Sequence, residues 1–230
     1  IKLYSNADAL PTMKPMIGEN TTVLTIQNGA TSGQILGASL GQKHVLQGAT
    51  YIETGIVGPG HIHQSGSTAM IEFGEDDGAE NERTAAVQKL LDREGIQVKV
   101  SNNIVDTLWN KMVSVGAIGT VMAASRASFV EVLASPHGEH TVRTVMEEIL
   151  AVGQSQGVKF PPRCVDAKMA DAIAEAEDTQ ASLQYDLNNR KPLELDDILG
   201  AVVRIGRDAG VPVPASAALV TVLDRFKQGS

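Results

Sequence analysis

NNIVDTLWNKMVSVGAIGTVM, residues 102–122, is the stretch on which the reading of this chain turns. Placed on a helical wheel with Ile104 at zero, Leu108, Met112, Val115, Ile118 and Met122 all fall within about 40° of it and form one apolar stripe. Lys111 falls at about −20°, inside that stripe, while Trp109 and Asn110 project toward the opposite side, where a solvated lysine belongs. An ammonium buried without partners costs several kcal/mol, so Lys111 must snorkel out to water, pair with an acid, or line a polar cleft.

The same stretch marks where strands stop. Ahead of it, residues 1–4 read as a short strand, a helix capped by Asn6 or Asp8 follows to about residue 16, and 21–27 is a β-branched strand ending at Asn28-Gly29. Thr31 or Ser32 then caps a helix carrying Ile35, Leu36 and Leu40. A strand over 44–54 passes through Gly55, Gly58, Pro59 and Gly60 into 61–65, with 68–74 as the return arm of a hairpin, so antiparallel strands are expected here. An amphipathic helix over 80–94 and a strand over 96–100 complete an α/β part. Beyond Asn103, helices are predicted over 103–122, 128–133, 138–156, 163–176, 179–189, 194–209 and 215–226, punctuated by Gly157, Pro161, Pro192, Gly210 and Pro212. The boundary between the parts is expected at residues 101–103, giving domains 1–101 and 102–230.

With 230 residues, 43% of them hydrophobic, the chain can bury a large core, and two domains are expected. A net charge of −8 argues against a nucleic-acid partner, and no apolar run approaches the roughly 18 residues of a membrane span. The single cysteine, Cys164, excludes an internal disulfide, and with no signal peptide in view the expected location is the cytoplasm. The sequence opens at Ile1 with IKLYS, a strand already under way and without a starting methionine, so a missing front is expected.

Several residues could carry chemistry. Ligands of open α/β sheets sit beyond the carboxyl ends of strands, which places Asn28 well, although Asn-Gly after a strand is also ordinary turn chemistry. Lys2, near the end of the first predicted strand, has the same two readings. Ser182 lies on a short helix and Glu194 opens the next one after Pro192, so both could turn to one cleft; equally, a glutamate in a first helical turn complements the macrodipole. Gln184, Asp186, Asn188 and Asn189 read as a solvated face. His61 and His63 share a face of their strand with Glu72 opposite, but spacing supplies no third ligand, and no metal is expected. Cys164 has no base placed near it. Gly58-Pro59-Gly60 leads into a hairpin, not a helix, and is no dinucleotide loop.

Taken together, IQNG at 26–29, LWNKM at 108–112, and SLQYDLNNRKPLELDDILG at 182–200 followed by AGVPVP at 209–214 resemble the ketopantoate reductase family over essentially the whole chain. The resemblance implies the C-terminal part of a Rossmann-type NAD(P)-binding domain followed by an all-α domain like that of 6-phosphogluconate dehydrogenase. It implies NADPH as cofactor, reduction of 2-dehydropantoate to pantoate in pantothenate synthesis, and a small 2-oxo-acid substrate, with a homodimer through the helical domain. The family's catalytic lysine falls on Lys111 and its active-site glutamate on Glu194, its strand-end asparagine on Asn28 and its substrate-contacting serine on Ser182. Lys2, Asn28 and Glu194 fall on the cofactor side. Lys111 would then serve as general acid to the ketone oxygen.

Two departures accompany the resemblance. Where the family carries substrate-binding asparagines one and two turns after the lysine, this chain has Val115 and Gly119, which makes the pocket more apolar and roomier. The family's first roughly 70 residues, with the GxGxxG phosphate loop, have no counterpart here, so the sequence as it stands is expected not to turn over while the intact protein is the reductase. The alternatives are a paralogous hydroxy-acid dehydrogenase with another substrate and a non-catalytic helical oligomerisation module.

Overall fold

Four strands line up side by side in chain order, β1 (Val23–Thr25), β2 (Val45–Gly58), β3 (His61–Gly74) and β4 (Gln97–Val100). A computed structural model of the chain describes residues 1–176 and 180–229, leaving aside the side chain of Ser67. The helices are α1 (Asn6–Met13), α2 (Ser32–Leu40), α3 (Glu82–Leu91), α4 (Ile104–Ser125), α5 (Phe129–Ala134), α6 (Gly138–Ser155), α7 (Cys164–Ala174), α8 (Ser182–Asn188), α9 (Leu199–Ala209) and α10 (Pro214–Asp224). No strand follows β4 among the described residues, so the expected change from α/β to all-helical structure is observed. The chain forms two compact units: one holds Asp8–Gln27 and Ser32–Leu108, the other Ile1–Ala7, Asn28–Thr31 and the chain from Trp109 onward. The division passes through α4, a few residues after the change in strand content.

The sheet unit is mixed. β2 and β3 form an antiparallel hairpin turning at Pro59-Gly60 with Gly60 at φ 72°; the expected hairpin of 61–65 with 68–74 is not formed, because both stretches belong to the one strand β3 and its antiparallel partner is β2. The expectation of antiparallel strands fails for the outer pairs: β1 lies parallel to β2 (Val23 opposite Val45) and β3 parallel to β4 (Phe73 opposite Val100). The reason is connectivity, since α2 and α3 carry the chain back across the sheet, and a helical crossover delivers parallel strands. The hairpin also runs unbroken through Gly55, each strand being 14 residues long. Its inner half is buried, with Leu46, Ala49 and Phe73 sealed from water; its outer half is exposed. Leu10, Leu36, Leu40 and Val45 pack into one cluster, while Ile104 and Leu108 at the start of α4 pack on Ala49. Asn81 and Thr84 form a reciprocal capping box at α3.

In the helical unit, Ala123, Leu183, Leu187, Leu193, Leu195 and Leu223 make one core cluster, and the inward face of α6 (Val142, Val145, Met146, Ile149, Val152) is fully buried. Glu148, also on α6, ties α10 to it: its carboxylate accepts from the backbone N–H groups of Ala215 (2.9 Å) and Ser216 (2.7 Å) and from the Ser216 hydroxyl (2.6 Å). A carboxylate at a helix N-terminus satisfies donors that have no partner within the helix.

Three expectations for the ends of the elements are corrected. Residues 1–4 are no strand; Leu3–Ser5 form a 3₁₀ turn leading straight into α1, so Lys2 is not at a strand end. The helix expected from residue 194 begins five residues later, at Leu199, and Glu194 stands in the turn before it. The helix expected over 179–189 begins at Ser182; Thr179 lies outside the described residues.

Candidate active site

The α4 stripe is not one buried face. Val113, Ala117, Thr120 and Ala123 are as buried as Ile104 and Met112, and Trp109, expected on the solvated side, is 4% exposed and lies against Gly153 of α6. A helix apolar all round is enclosed all round, and between Lys111 and Ala123 the positions that are not buried are Lys111, Ser114, Val115 and Ile118, each half-buried or exposed. The stripe drawn from the sequence therefore divides: its members at 104, 108, 112 and 122 are core, and those at 115 and 118 belong with Lys111 to the helix's open side.

Asn28 reaches Lys111 because of its neighbour. Gly29 adopts φ 93°, and a Cβ there would stand 2.9 Å from the backbone oxygen of Asp197, so the loop can lie against the 194–198 turn only with glycine at this position. In that setting the Lys111 Nζ donates to Asn28 Oδ1 at 3.1 Å. Burial pushes the Lys111 ammonium below the usual lysine range, and the negative charge of Glu194 opposes that shift.

Glu194 is 3% exposed and doubly held: Oε2 accepts from Lys2 Nζ at 2.9 Å and Oε1 from the backbone N–H of Leu3 at 3.1 Å. Its place in a turn removes the macrodipole explanation for a glutamate here. Lys2 donates as well to Asp186 Oδ2 at 3.0 Å. Burial by itself would lower the Lys2 pKa, but the hydrogen bonds to Glu194 and Asp186 and their charges raise it above the usual lysine value. Two buried carboxylates thus share one cation.

Asp186 was missed as a functional candidate. It and Gln184 were read as solvated, yet they are 6% and 2% exposed. The available signal was Leu183 and Leu187: positions 184 and 186 flank that apolar line at about 80° on either side, and a short helix between two loops can be enclosed on three sides. Ser182, the first residue of α8, is exposed and makes no hydrogen bond among the described residues. It sits beside α4 all the same, because a Cβ built on Gly119 would meet the Cβ of the preceding Ala181 at 3.8 Å. Ser32, expected as a possible cap of α2, lies within that helix, its buried hydroxyl without a hydrogen-bond partner among the described residues.

Glu72 does not stand opposite His61 and His63, because all three lie on the one strand β3. Glu72 accepts from the Thr107 hydroxyl at 3.0 Å, and no group of three potential metal ligands occurs among the described residues. Cys164 is buried and donates to Asn110 Oδ1 at 3.4 Å, and burial pushes its thiol pKa up, away from reactivity. A groove of about 400 Å³ between α6 and α7, lined by Arg143, Phe160 and Asp166 among others, shares no residue with the lysine–carboxylate cluster. No helix among the described residues is long and apolar enough to cross a membrane.

Residues 103–227 match the family model described as ketopantoate reductase PanE/ApbA C terminal, and residues 1–78 match the model described as ketopantoate reductase PanE/ApbA. Among curated relatives, the 2-dehydropantoate 2-reductase of Mesorhizobium japonicum is 26% identical over 247 residues, covering 98% of this chain and 74% of the relative. The crystal structure of a PanE/ApbA family ketopantoate reductase from Ralstonia eutropha JMP134 superposes with a TM-score of 0.88 at 26% identity, covering 99% of this chain and 74% of that one. The ternary structure of D-mandelate dehydrogenase with NADH and anilino(oxo)acetate superposes with a TM-score of 0.85 at 21% identity over 98% of this chain and 74% of that one, a likeness of fold alone.

Proposed function

The chain belongs to the ketopantoate reductase PanE/ApbA family, and on that premise we propose that this oxidoreductase reduces the ketone of a 2-oxo acid at the expense of NADPH, with Lys111 as the proton donor. The observation that carries the reading is the partly buried Lys111 ammonium, hydrogen-bonded to Asn28 and lying in the field of the buried Glu194. A helical oligomerisation module has no use for a desolvated cation on the open side of its central helix.

A nicotinamide dinucleotide fits these residues in part. Asn28 follows β1 at its carboxyl end, and with Oδ1 engaged by Lys111 its amide N–H₂ remains to donate to a ribose or a substrate oxygen. No GxGxxG run occurs in the sequence, so the residues described here answer the nicotinamide end of the group and not its phosphates. Bound there, the nicotinamide supplies a hydride to the ketone carbon.

The protein's own residues then handle the charge and the proton. Negative charge developing on the ketone oxygen is met by the Lys111 Nζ, which donates its proton to that oxygen and leaves a hydroxyl; the neutral amine recovers a proton from solvent. Desolvation makes the ammonium a readier donor near neutral pH, and the Glu194 carboxylate keeps it charged until it is used. Lys2 and the Leu3 N–H hold that carboxylate in place, and Asp186 in turn holds Lys2. The exposed Ser182 hydroxyl, with no partner among the described residues, is assigned to the substrate carboxylate.

The test is NADPH oxidation by the protein in its full natural length, supplied with 2-dehydropantoate and with other 2-oxo acids. Steady turnover of one of them supports the reading; no oxidation with any, by a folded protein that binds NADPH, refutes it.

A further inference from the structure

Asn28 is the one asparagine of the sequence that is followed by glycine. That pair has a chemistry of its own. The backbone nitrogen after an asparagine can attack the asparagine's side-chain carbonyl, and a glycine there, having no Cβ, leaves the approach unhindered. Three features of this loop bear on the step. Asn28 is half-buried, not sealed from the water that the reaction consumes. The Gly29 N–H donates to no acceptor among the described residues, so no hydrogen bond has to break before its nitrogen attacks. The Asn28 Oδ1, on which negative charge develops, already accepts from the Lys111 Nζ at 3.1 Å, and the Glu194 charge favours the protonated form of that amine. A cation held on this oxygen does for the amide what an oxyanion hole does for an ester.

We propose that Asn28-Gly29 is a self-modification site at which Lys111 promotes loss of the Asn28 amide. The Gly29 nitrogen bonds to Asn28 Cγ and gives its proton to solvent, while the Cγ–Oδ1 π electrons move onto Oδ1 beneath the Lys111 ammonium. That pair returns as the Cγ–Nδ2 bond breaks, and Nδ2 takes a proton from solvent and leaves as ammonia. The cyclic imide that remains adds water at either carbonyl and opens to aspartate or isoaspartate. Nothing is oxidised or reduced: one water enters and one ammonia departs. The new carboxylate of an aspartate at position 28 stands beside the Lys111 ammonium, a charge-assisted pairing that replaces the original bond. The consequence for turnover, though not the modification itself, rests on the reductase reading above. The amide N–H₂ assigned to a ribose or substrate oxygen is gone, and a second negative charge beside Lys111 holds its proton more tightly.

The test holds the protein, in its full natural length, at neutral pH and samples it for peptide mass spectrometry, which reads a gain of one mass unit at residue 28 whether or not the protein is a reductase. Folded wild type is expected to accumulate that gain. Lys111→Met should slow it at least about tenfold, the loss of one oxyanion donor, whereas Lys111→Arg keeps a charged donor and should stay near the wild-type rate. A second comparison needs no variant to fold. In urea the lysine, 83 positions along the chain, no longer meets Asn28, and the unfolded wild type should lose the amide more slowly than the folded one. No gain at residue 28 in folded wild type, a Lys111→Met rate equal to or above that of wild type, or faster loss in urea each overturns the proposal. Turnover that falls in step with the mass gain upholds both readings; modification with turnover unchanged upholds the site and removes Asn28 from the reductase mechanism.

Discussion

Replacing Lys111 by methionine separates a catalytic lysine from a structural one. The side chains are of similar length, so the core contacts of α4 are kept. The hydrogen bond to Asn28 at 3.1 Å is lost, worth about 1.5–3 kcal/mol as a bond from a charged donor. Against that loss stands the desolvation of the ammonium, the largest influence on its pKa, which is relieved by an apolar replacement and is of similar size or larger. Neither partner is stranded, because Asn28 is half-exposed to water and Glu194 keeps Lys2 and the Leu3 N–H. Unfolding by urea should therefore shift by no more than about 1.5 kcal/mol in either direction. Turnover should respond differently: removing a positioned general acid lowers kcat by about 10²–10⁴, or about 2.7–5.5 kcal/mol of transition-state stabilisation. The assay is NADPH oxidation at saturating substrate beside equilibrium unfolding of the same preparation. A variant with near-normal kcat, or one losing more than about 3 kcal/mol of stability, would show that Lys111 is a buried ion pair and not the proton donor.

Glu194→Gln tests the electrostatics. Burial lowers the Lys111 pKa and the Glu194 charge raises it, so removing the charge should lower it further and move the alkaline limb of the kcat/KM profile to lower pH; a limb that stays put or moves up disproves the coupling. Glu148→Ala strips three donors at the start of α10 of their acceptor and should cost about 3–5 kcal/mol in urea unfolding, with a loss below about 1 kcal/mol showing that water replaces the carboxylate. Gly29→Ala puts a methyl at φ 93° against the Asp197 carbonyl and should cost about 1–3 kcal/mol while lowering turnover through displacement of Asn28; unchanged kcat and stability would mean that the loop relaxes freely.

Local chemistry was legible wherever a rule acts within a few residues. The Asn103 side chain accepts from the Asp106 N–H at 3.2 Å, the three-residue spacing of a helix cap, and Ser128 opens α5 through a capping box with Glu131. The helices and the change from α/β to all-helical structure follow from periodicity and punctuation of the same range. Lys111 stood out because a charge interrupted an apolar pattern, and Asn28 because it ended a strand. Parallel pairing at the sheet's edges was not legible, since it depends on which strand a crossover helix delivers beside which.

Residue patterning alone determined the order of helices after β4, the point where strands give way to helices, and the oddity of Lys111, because each of these is a property of neighbours along the chain. Only the tertiary structure decided that Lys2 and Glu194, 192 positions apart, are hydrogen-bonded, that Asp186 is buried with them, and that from Lys111 to Ala123 the side of α4 left uncovered is the one holding Lys111, Ser114, Val115 and Ile118. A wheel knows the angle of each side chain about one axis, but not how many other elements surround that axis. Burial, and with it the pKa and pairing of every charge in the site, is settled by those neighbours.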